Sequence, residues 1–254
     1  MGGLLHKLRH PSRCYLVCAT ARTGSNLLTD GLHATRRAGR PKQFFLPKFE
    51  GEYAAGLELD AGADFSGYVR GVVRKTATSN EVFGFKIMGW YWEEFLTRLR
   101  GTQAFGGPES SESEILQEAF PRLQYVQVLR RNKLRQAISK AKAIQSGLWK
   151  VQEGNQALAD PKFDADLIAR CLQETLANEL VWERFFQHNS IQPFVVEYED
   201  LCRDFVGTIQ SVLHFLKIRL PQGTRIAPPQ TVRQTDSLSR DWEERYLALQ
   251  PAAA

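Results

Sequence analysis

Hydrophobic positions along this chain follow two spacings that alternate from one end to the other. Short apolar runs with the length of buried strands are separated by longer segments in which apolar residues recur at helical spacing. The predicted strands are Cys14–Thr20, Val82–Ile87, Leu123–Arg130 and Pro193–Tyr198. The predicted helices are Ser25–Ala38, Tyr68–Ser79, Gly89–Leu99, Lys133–Ser146, Asp164–His188 and Asp204–Leu216. Because strands that alternate with helices form βαβ units, the pattern predicts an α/β fold with a mostly parallel central sheet flanked by helices.

Two segments and both chain ends lack this regular pattern. Residues 40–67 are rich in Pro and Gly and are predicted to be irregular, forming a lid or a wall of a substrate site. Gly101–Ser113 is predicted to be a mobile loop. The length of 254 residues, with 43% hydrophobic positions, is enough for one core and predicts a single domain over 1–254. Within it, 1–12 is a basic N-terminal extension and 228–254 is a C-terminal tail expected to pack on the domain.

The composition of the chain indicates its cellular compartment and whether it binds a metal. The longest apolar runs are too short to cross a bilayer, which predicts that the chain has no transmembrane segment. The basic N-terminus lacks the apolar stretch and the cleavage site of a signal peptide. The four cysteines show neither paired metal-ligand spacing nor a dense disulfide pattern. We therefore expect a cytoplasmic protein without a bound metal.

Positive charge is concentrated in two blocks of the sequence. Residues 1–50 contain nine Lys or Arg against two acids, a net of +7, and residues 121–150 contain eight Lys or Arg and no acid, a net of +8. A nucleic-acid-binding protein more often spreads basic charge over a face or a tail. Each block here includes a predicted strand-to-helix turn. We therefore expect the protein to bind a small polyanionic ligand and no nucleic acid. The alternative is that both blocks are simply solvated basic surfaces.

The first of these turns has the character of an anion-binding site. The strand ending at Thr20 passes through small residues directly into a helix that begins at Ser25, which leaves the first helical N–H groups pointing at the turn. The turn, residues 20–26, is called the phosphate loop below. It is P-loop-like but lacks the Lys and Ser/Thr that follow the second glycine of an ATPase loop, because its one basic residue, Arg22, precedes its single Gly24. The predicted phosphate-binding residues are Arg22, Thr23, Gly24, Ser25 and Asn26.

The second turn follows the strand that ends at Arg130. Arg131, Arg135 and Ser139 follow at four-residue steps, so they lie roughly on one face of the next helix. A guanidinium group with a nearby hydroxyl can grip a phosphate, and Arg130 or Arg131 together with Ser139 is predicted to do so. The spacing does not say which arginine is used. The alternative is an amphipathic helix with a basic exposed face.

Taken together, the two turns and three further motifs resemble the bacterial trehalose sulfotransferase family. The matching segments are Tyr15–Leu28, Gly84–Met88, Gln136–Ser139, Tyr198–Leu201 and Arg240–Tyr246, in the family's order over nearly the whole chain. The resemblance implies a sulfotransferase that uses 3′-phosphoadenosine 5′-phosphosulfate (PAPS), needs no metal and acts on a hydroxyl of a carbohydrate or glycolipid. It further implies that the first loop binds the 5′-phosphosulfate and that the Arg…Ser pair binds the 3′-phosphate.

One departure from the family concerns proton transfer. The family has Glu in a Pro-x-Glu-Phe-Phe context, where it is thought to deprotonate the acceptor, whereas this chain has Gln43 at that position. Gln43 cannot accept a proton at neutral pH, so another group such as Glu50 serves as base, the acceptor needs little help, or the protein does not catalyse the transfer. Arg40 also replaces an acidic residue of the family, which predicts a different acceptor pocket, suited to an anionic acceptor.

The sequence therefore predicts a PAPS-dependent sulfotransferase in which Arg22 neutralises charge on the departing phosphate. Two alternatives remain open at this point. A catalytically inert relative would bind the nucleotide without transfer, and a nucleotide kinase or NTPase would share the strand–loop–helix but needs a loop Lys and an Mg²⁺-binding Asp that the motifs lack. The sequence leaves the oligomeric state open, and a homodimer is one possibility.

Overall fold

The structure is a computed structural model, and it describes residues 11–60, 62–107, 109–149, 159–227 and 237–249. Within these residues one sheet is found, and its strands are all parallel, in the order β2-β1-β3-β4. The strands are β1 (Arg13–Ala19), β2 (Val82–Met88), β3 (Leu123–Leu129) and β4 (Phe194–Glu197). The predicted α/β fold with a parallel central sheet flanked by helices is confirmed.

Helices connect the strands and cover both faces of the sheet. A 3₁₀ turn at Gly89–Tyr91 follows β2 directly. The α-helices of the described residues are α1 (Ser25–Ala34), α2 (Pro47–Gly56), α3 (Phe65–Thr76), α4 (Trp92–Arg100), α5 (Glu112–Ala119), α6 (Lys133–Ser146), α7 (Ala165–His188), α8 (Tyr198–Arg203), α9 (Phe205–Phe215) and α10 (Ser237–Ala248). All six helices expected from the apolar spacing are present, with ends that differ by up to four residues.

The register of the central strand places the two basic turns side by side. Ala19, the last residue of β1, lies opposite Met88 of β2 and Val128 of β3. Because the three strands run parallel and end together, the phosphate loop after β1 and the turn after β3 share the carboxyl edge of the sheet. Ligands of open α/β sheets bind at this edge.

Two apolar layers hold the sheet between its helices. On one face, Leu16, Cys18 and Phe85 are fully buried in an aromatic-rich cluster with residues of α3, α4 and α7. On the other face, Tyr15 and Val17 are buried with residues of α1 and α9. Successive strand residues point to opposite faces, so burial on both sides explains why β1 is apolar almost without interruption.

The prediction that residues 40–67 are irregular is wrong in its middle, where α2 forms. Pro47 occupies the first turn of α2, where its fixed φ is compatible with a helix and its missing N–H costs nothing. Tyr53 of α2 packs its ring against Phe44 with centroids 5.0 Å apart, and Tyr68 of α3 donates a hydrogen bond to the Phe44 carbonyl at 2.7 Å. Long-range packing on Phe44 therefore stabilises a helix that buries no residue fully and shows little local amphipathic pattern.

Three further helices, α5, α8 and α10, were also absent from the sequence-based prediction. Helix α5 begins at Glu112, so the loop predicted over Gly101–Ser113 ends earlier than expected, at a capping box formed by Ser111 and Glu114. Helix α8 begins directly after β4 and spans six residues. No helix of the described residues combines the length and the apolar character that crossing a membrane requires.

The part of the C-terminal tail that is described packs on α6. Trp242 of α10 is 1% exposed and packs against Phe163 with ring centroids 5.9 Å apart. Glu243 accepts hydrogen bonds from Asn132 at 2.8 Å and from Arg135 at 2.6 Å. Residues 228–236 and 250–254 of the predicted tail, and 1–10 of the predicted N-terminal extension, lie outside the described residues.

Candidate active site

The phosphate loop turns sharply at Gly24. Its φ of 79° lies in the left-handed region, and a Cβ atom at this position would lie 2.4 Å from Cδ2 of Tyr198. Only glycine fits both requirements without displacing the Tyr198 ring. Gly24 is also the N-cap of α1 and provides no side-chain cap, so the first N–H groups of α1 remain available to a ligand. The loop thus has the backbone geometry of an anion site.

Hydrogen bonds to neighbouring elements fix the base of the loop. Thr23 is fully buried and donates to the Thr20 carbonyl at 2.9 Å. Gln136 of α6, also fully buried, donates to the Thr20 hydroxyl at 2.8 Å and to the Ala21 carbonyl at 2.7 Å. From α7, the Trp182 indole donates to the Ala19 carbonyl at 3.0 Å. One bond within the loop and the contacts from α6 and α7 therefore hold the loop and the strand end before it in one conformation.

Arg22 links the loop to the helix that follows β3. Its Nε donates to the Ser139 hydroxyl at 2.9 Å, and its Nη1 donates to the Trp149 carbonyl at 2.5 Å. Arg22 adopts a φ of 66°, which is rare for a residue with a side chain, and these bonds help to hold it there. Burial, and then the charge of Arg130, lower the pKa of Arg22 from its ordinary value.

Arg130 lies against the same loop. Its Nη1 donates to the Arg22 carbonyl at 3.4 Å, and its guanidinium lies 4.6 Å from the centroid of the Tyr198 ring that covers Gly24. Its Nε is buried and has no hydrogen-bond partner among the described residues. Burial lowers the pKa of Arg130, and the neighbouring Tyr198 and Glu199 oppose that shift. A half-buried guanidinium with a buried, unsatisfied Nε donor beside a candidate anion site is suited to an anionic ligand.

Arg131 and Arg135 point away from the loop. Arg131 is exposed and forms an ion pair with Asp200 of α8. Arg135 donates from Nε to Glu243 of α10 at 2.6 Å. Of the basic residues predicted at the second turn, the structure thus brings Arg130 to Arg22, which itself binds Ser139, and it pairs Arg131 and Arg135 with carboxylates elsewhere.

Lys86 is a candidate site residue that the sequence analysis did not single out as one. It lies on β2, is 3% exposed, and donates from its ammonium to the side-chain oxygen of Asn26 in the first turn of α1. A buried ammonium is costly unless it is paired or hydrogen-bonded. The signal was present in the sequence, because Lys86 is the one charged residue within the apolar strand Val82–Met88.

Gln43 and Glu50 have different surroundings. The segment before Gln43 runs along the free edge of β2, where the Lys86 N–H donates to the Lys42 carbonyl at 2.9 Å. Gln43 is half-buried, and its side chain makes no hydrogen bond with a described residue. Both carboxylate oxygens of Glu50 accept from Arg98, at 2.5 and 2.8 Å. Glu50 makes no hydrogen bond or ion pair with the described residues of the phosphate loop.

No group of three or more His, Cys, Asp or Glu side chains with a metal-binding arrangement is found among the described residues. What the carboxyl edge does hold is three cationic side chains, Arg22, Arg130 and Lys86, around the free N–H groups at the start of α1. Such an arrangement can bind a phosphate ester and stabilise negative charge that develops on it.

The sequence of this chain is similar to those of known proteins. A sequence model of the family described as Stf0 sulphotransferase matches residues 14–248. A trehalose 2-sulfotransferase of Mycolicibacterium smegmatis is 30% identical over 268 residues, which cover 93% of this chain and 95% of the relative. The trehalose 2-sulfotransferase of Mycobacterium tuberculosis is also 30% identical, covering 94% of this chain and 96% of the relative.

Solved structures of two sulfotransferases are also similar to this chain. The sulfotransferase domain of the Synechococcus olefin synthase has a TM-score of 0.49 and 12% identity, and the match covers 97% of this chain and 91% of that one. A sulfotransferase from Alicyclobacillus acidocaldarius has a TM-score of 0.46 and 14% identity, covering 94% and 92%. From the match over residues 14–248 and the two relatives that align over nearly their whole length, the chain belongs to the Stf0 sulphotransferase family.

Proposed function

We propose that this protein transfers a sulfuryl group from PAPS to a hydroxyl of a carbohydrate or glycolipid. The observation that carries the proposal is the hydrogen bond from Arg22 Nε to Ser139 Oγ at 2.9 Å. It joins the loop expected to bind the 5′-phosphosulfate to the helix expected to bind the 3′-phosphate, although 117 positions separate the two residues. A nucleotide with one phosphate on the 3′ carbon of its ribose and another on the 5′ carbon could occupy both positions.

The residues present fit this donor. The uncapped start of α1 and the left-handed Gly24 offer backbone N–H groups to one phosphate. The buried, unpartnered Nε of Arg130 and the hydroxyl of Ser139 supply donors for a second. PAPS, when bound, supplies a sulfuryl group attached to a phosphate leaving group. Thr23, Gly24, Ser25 and Asn26 would hold its 5′ end, and Arg130 with Ser139 would hold its 3′-phosphate.

Arg22 and Lys86 are assigned the electrostatic role. Sulfuryl transfer, like phosphoryl transfer, depends mainly on positioning and on stabilising charge in a loose transition state. Arg22 sits in the loop and would neutralise charge on the departing phosphate, exchanging its hydrogen bond with the Trp149 carbonyl for one with the ligand. Lys86 adds a second buried cation at the first turn of α1. Lys86 keeps its bond to Asn26 and Arg22 its bond to Ser139, so exchange of the Trp149 contact is the one rearrangement that the proposal requires of these two side chains.

Proton removal from the acceptor is where this protein differs from its relatives. Gln43 carries no basic atom that titrates near neutral pH, and the Glu50 carboxylate is engaged by Arg98 through both oxygens. We therefore propose that Gln43 orients the acceptor hydroxyl by hydrogen bonding and that the proton passes to solvent. Glu50 would act as base only after release from Arg98.

A second candidate function is nucleotide binding without transfer, and the observation that favours it is Gln43 at the position where the family has a Glu.

The acceptor is proposed to be a carbohydrate because both curated relatives are trehalose 2-sulfotransferases. The cytoplasm is the proposed location, since all four cysteines are free thiols in the structure and reduced thiols are typical of that compartment.

The direct test is transfer of ³⁵S from labelled PAPS to a panel of mono- and disaccharides that includes trehalose. The proposal expects labelled sulfate ester to form with at least one sugar, and Arg22→Ala to slow its formation by about a hundredfold or more. Tight binding of adenosine 3′,5′-bisphosphate with no transfer to any acceptor would favour the second candidate.

A further inference from the structure

A separate basic cavity lies at the opposite end of the sheet from the phosphate loop. The cavity, called the amino-end pocket here, has a volume of about 920 Å³. Its walls are the last turn of α1 with Arg36, residues 39–40, and residues 75–79, which are the end of α3 and the segment that follows it. This volume is within the range of small-molecule sites.

The strand register separates this pocket from the donor site. A Cβ atom on Gly39 would lie 2.8 Å from the Gly84 nitrogen and 3.3 Å from the Val82 oxygen, so this wall lies at the start of β2. The phosphate loop follows Ala19, which pairs with Met88 at the other end of β2. Four strand residues separate Gly84 from Met88 and six separate Val82 from it, so at about 3.3 Å each the two sites are about 13–20 Å apart. Donor nucleotide held at the loop therefore leaves the pocket open.

The lining of the pocket is strongly cationic. Arg36, Arg40 and Lys75 contribute positive charges, His33 lies beside them, and none of the ten described lining residues is acidic. Among the described residues, Lys75 forms an ion pair with Glu58 at 3.9 Å, and the Glu58 side chain is 89% exposed, so this carboxylate offsets little charge. Like charges brought together around a cavity favour an anionic ligand.

Backbone and side-chain bonds build the walls and keep these cations together. Thr78 and Asn80 donate to the Arg37 carbonyl at 3.3 and 2.9 Å, which ties the end of α1 to the segment after α3. Gly39 has a φ of 73° and no room for a Cβ atom, so the turn that carries Arg40 into the pocket requires glycine.

We propose that the amino-end pocket binds a small multivalent anion, a phosphate or sulfate ester, independently of the donor nucleotide. The ester can be a free metabolite or an anionic group on a large acceptor whose hydroxyl reaches the carboxyl edge. Both sources share the same chemistry, and they differ in whether the anion competes with the acceptor.

The test uses inorganic tripolyphosphate as the probe and titration calorimetry on the full chain, with and without saturating adenosine 3′,5′-bisphosphate. The double variant Arg36→Gln/Lys75→Gln removes a cation from each wall, and Ala34→Glu places a carboxylate inside. All three side chains are exposed, so these changes are compatible with folding. Arg184→Gln, on the exposed face of α7, is the matched control for loss of charge.

We expect tripolyphosphate to bind with the nucleotide present, with Kd raised at least about tenfold in both pocket variants and unchanged in the control. Competition with the acceptor in transfer assays would identify the bound group as part of the acceptor, and its absence would identify a separate ligand. Binding that the pocket variants do not weaken, or no binding by the parent, would overturn the proposal. Calorimetry measures binding at a pocket away from the phosphate loop. Its outcome therefore does not depend on whether the protein transfers a sulfuryl group.

Discussion

Lys86 of β2 donates a hydrogen bond to the side chain of Asn26 in the first turn of α1. This contact puts a buried ammonium beside the N–H groups that the loop offers to a phosphate, so the charge at the carboxyl edge comes from β2 as well as from β1 and β3. The candidate anion site therefore has one cation on β2, Lys86, and one in each of the turns that follow β1 and β3, Arg22 and Arg130.

Replacing Lys86 tests whether its charge serves the anion site. Lys86→Met keeps most of the side-chain volume and removes the ammonium, so affinity for adenosine 3′,5′-bisphosphate should fall by about tenfold or more. Calorimetry gives the affinity, and thermal unfolding checks that the fold is retained. Lys48→Met, an exposed lysine on α2, is the control and should bind like the parent. Unchanged affinity in Lys86→Met would mean that the ammonium only supports Asn26.

Arg22 is expected to matter more for the rate than for binding. If it stabilises charge that develops on the departing phosphate, Arg22→Ala should lower kcat by about a hundredfold or more and weaken nucleotide binding much less. Steady-state kinetics with labelled PAPS separates kcat from KM. Ser139→Ala, which removes a partner of Arg22 and keeps the guanidinium, serves as comparison and should lose less. A raised KM with an unchanged kcat would assign Arg22 to binding alone.

Gln43→Glu tests the missing base. The two side chains are nearly isosteric, so the fold should persist, and the new carboxylate should raise activity toward a simple disaccharide such as trehalose by about tenfold or more. The variant should also gain an ascending limb in its pH–rate profile near the pKa of the new carboxyl, which the parent lacks. Gln43→Met removes the amide without adding a base and controls for packing. If the parent transfers sulfuryl groups rapidly and the Gln43→Glu variant is slower, the base lies elsewhere. Glu50→Gln is then the next variant to measure.

Trp242 should anchor the C-terminal helix. Its side chain is 1% exposed between α6, α7 and Phe163, and removing a buried aromatic side chain of this size typically costs about 3–5 kcal/mol. Urea denaturation of Trp242→Ala should show a loss of this order, and Tyr246→Ala, at a half-buried position on the same helix, should cost less. A loss under about 1 kcal/mol would show that α10 adds little to the stability of the domain.

The fold was largely accessible from the sequence because the apolar periods of strands and helices are local signals. The strands of a parallel sheet are buried on both faces and read as short apolar runs, and β1 to β4 were found in this way. Helix α2 was missed because packing of Tyr53 on Phe44 stabilises it, and such a contact has no local signature.

The site was predictable in part, for a similar reason. The spacing of residues predicted Arg22, Arg130 and Ser139 as candidate site residues. It did not say whether Arg130 or Arg131 lies at the site. That choice depends on α8, where Asp200 and Glu199 bind Arg131. Likewise, the availability of Glu50 depends on Arg98, 48 positions away. Which charged groups neutralise each other is decided by tertiary contacts, and one sequence does not contain that information directly.

The nucleotide preference of the protein tests the central claim most directly, because a PAPS-binding site must recognise a 3′-phosphate. Calorimetry should show adenosine 3′,5′-bisphosphate binding at least about tenfold more tightly than AMP, since a charge-assisted phosphate contact contributes about 1.5–3 kcal/mol. Arg130→Gln should remove most of this preference, and Arg131→Gln, whose side chain is paired with Asp200, should keep it. Equal affinity of the parent for the two nucleotides would contradict the assignment of this protein as a PAPS-dependent sulfotransferase.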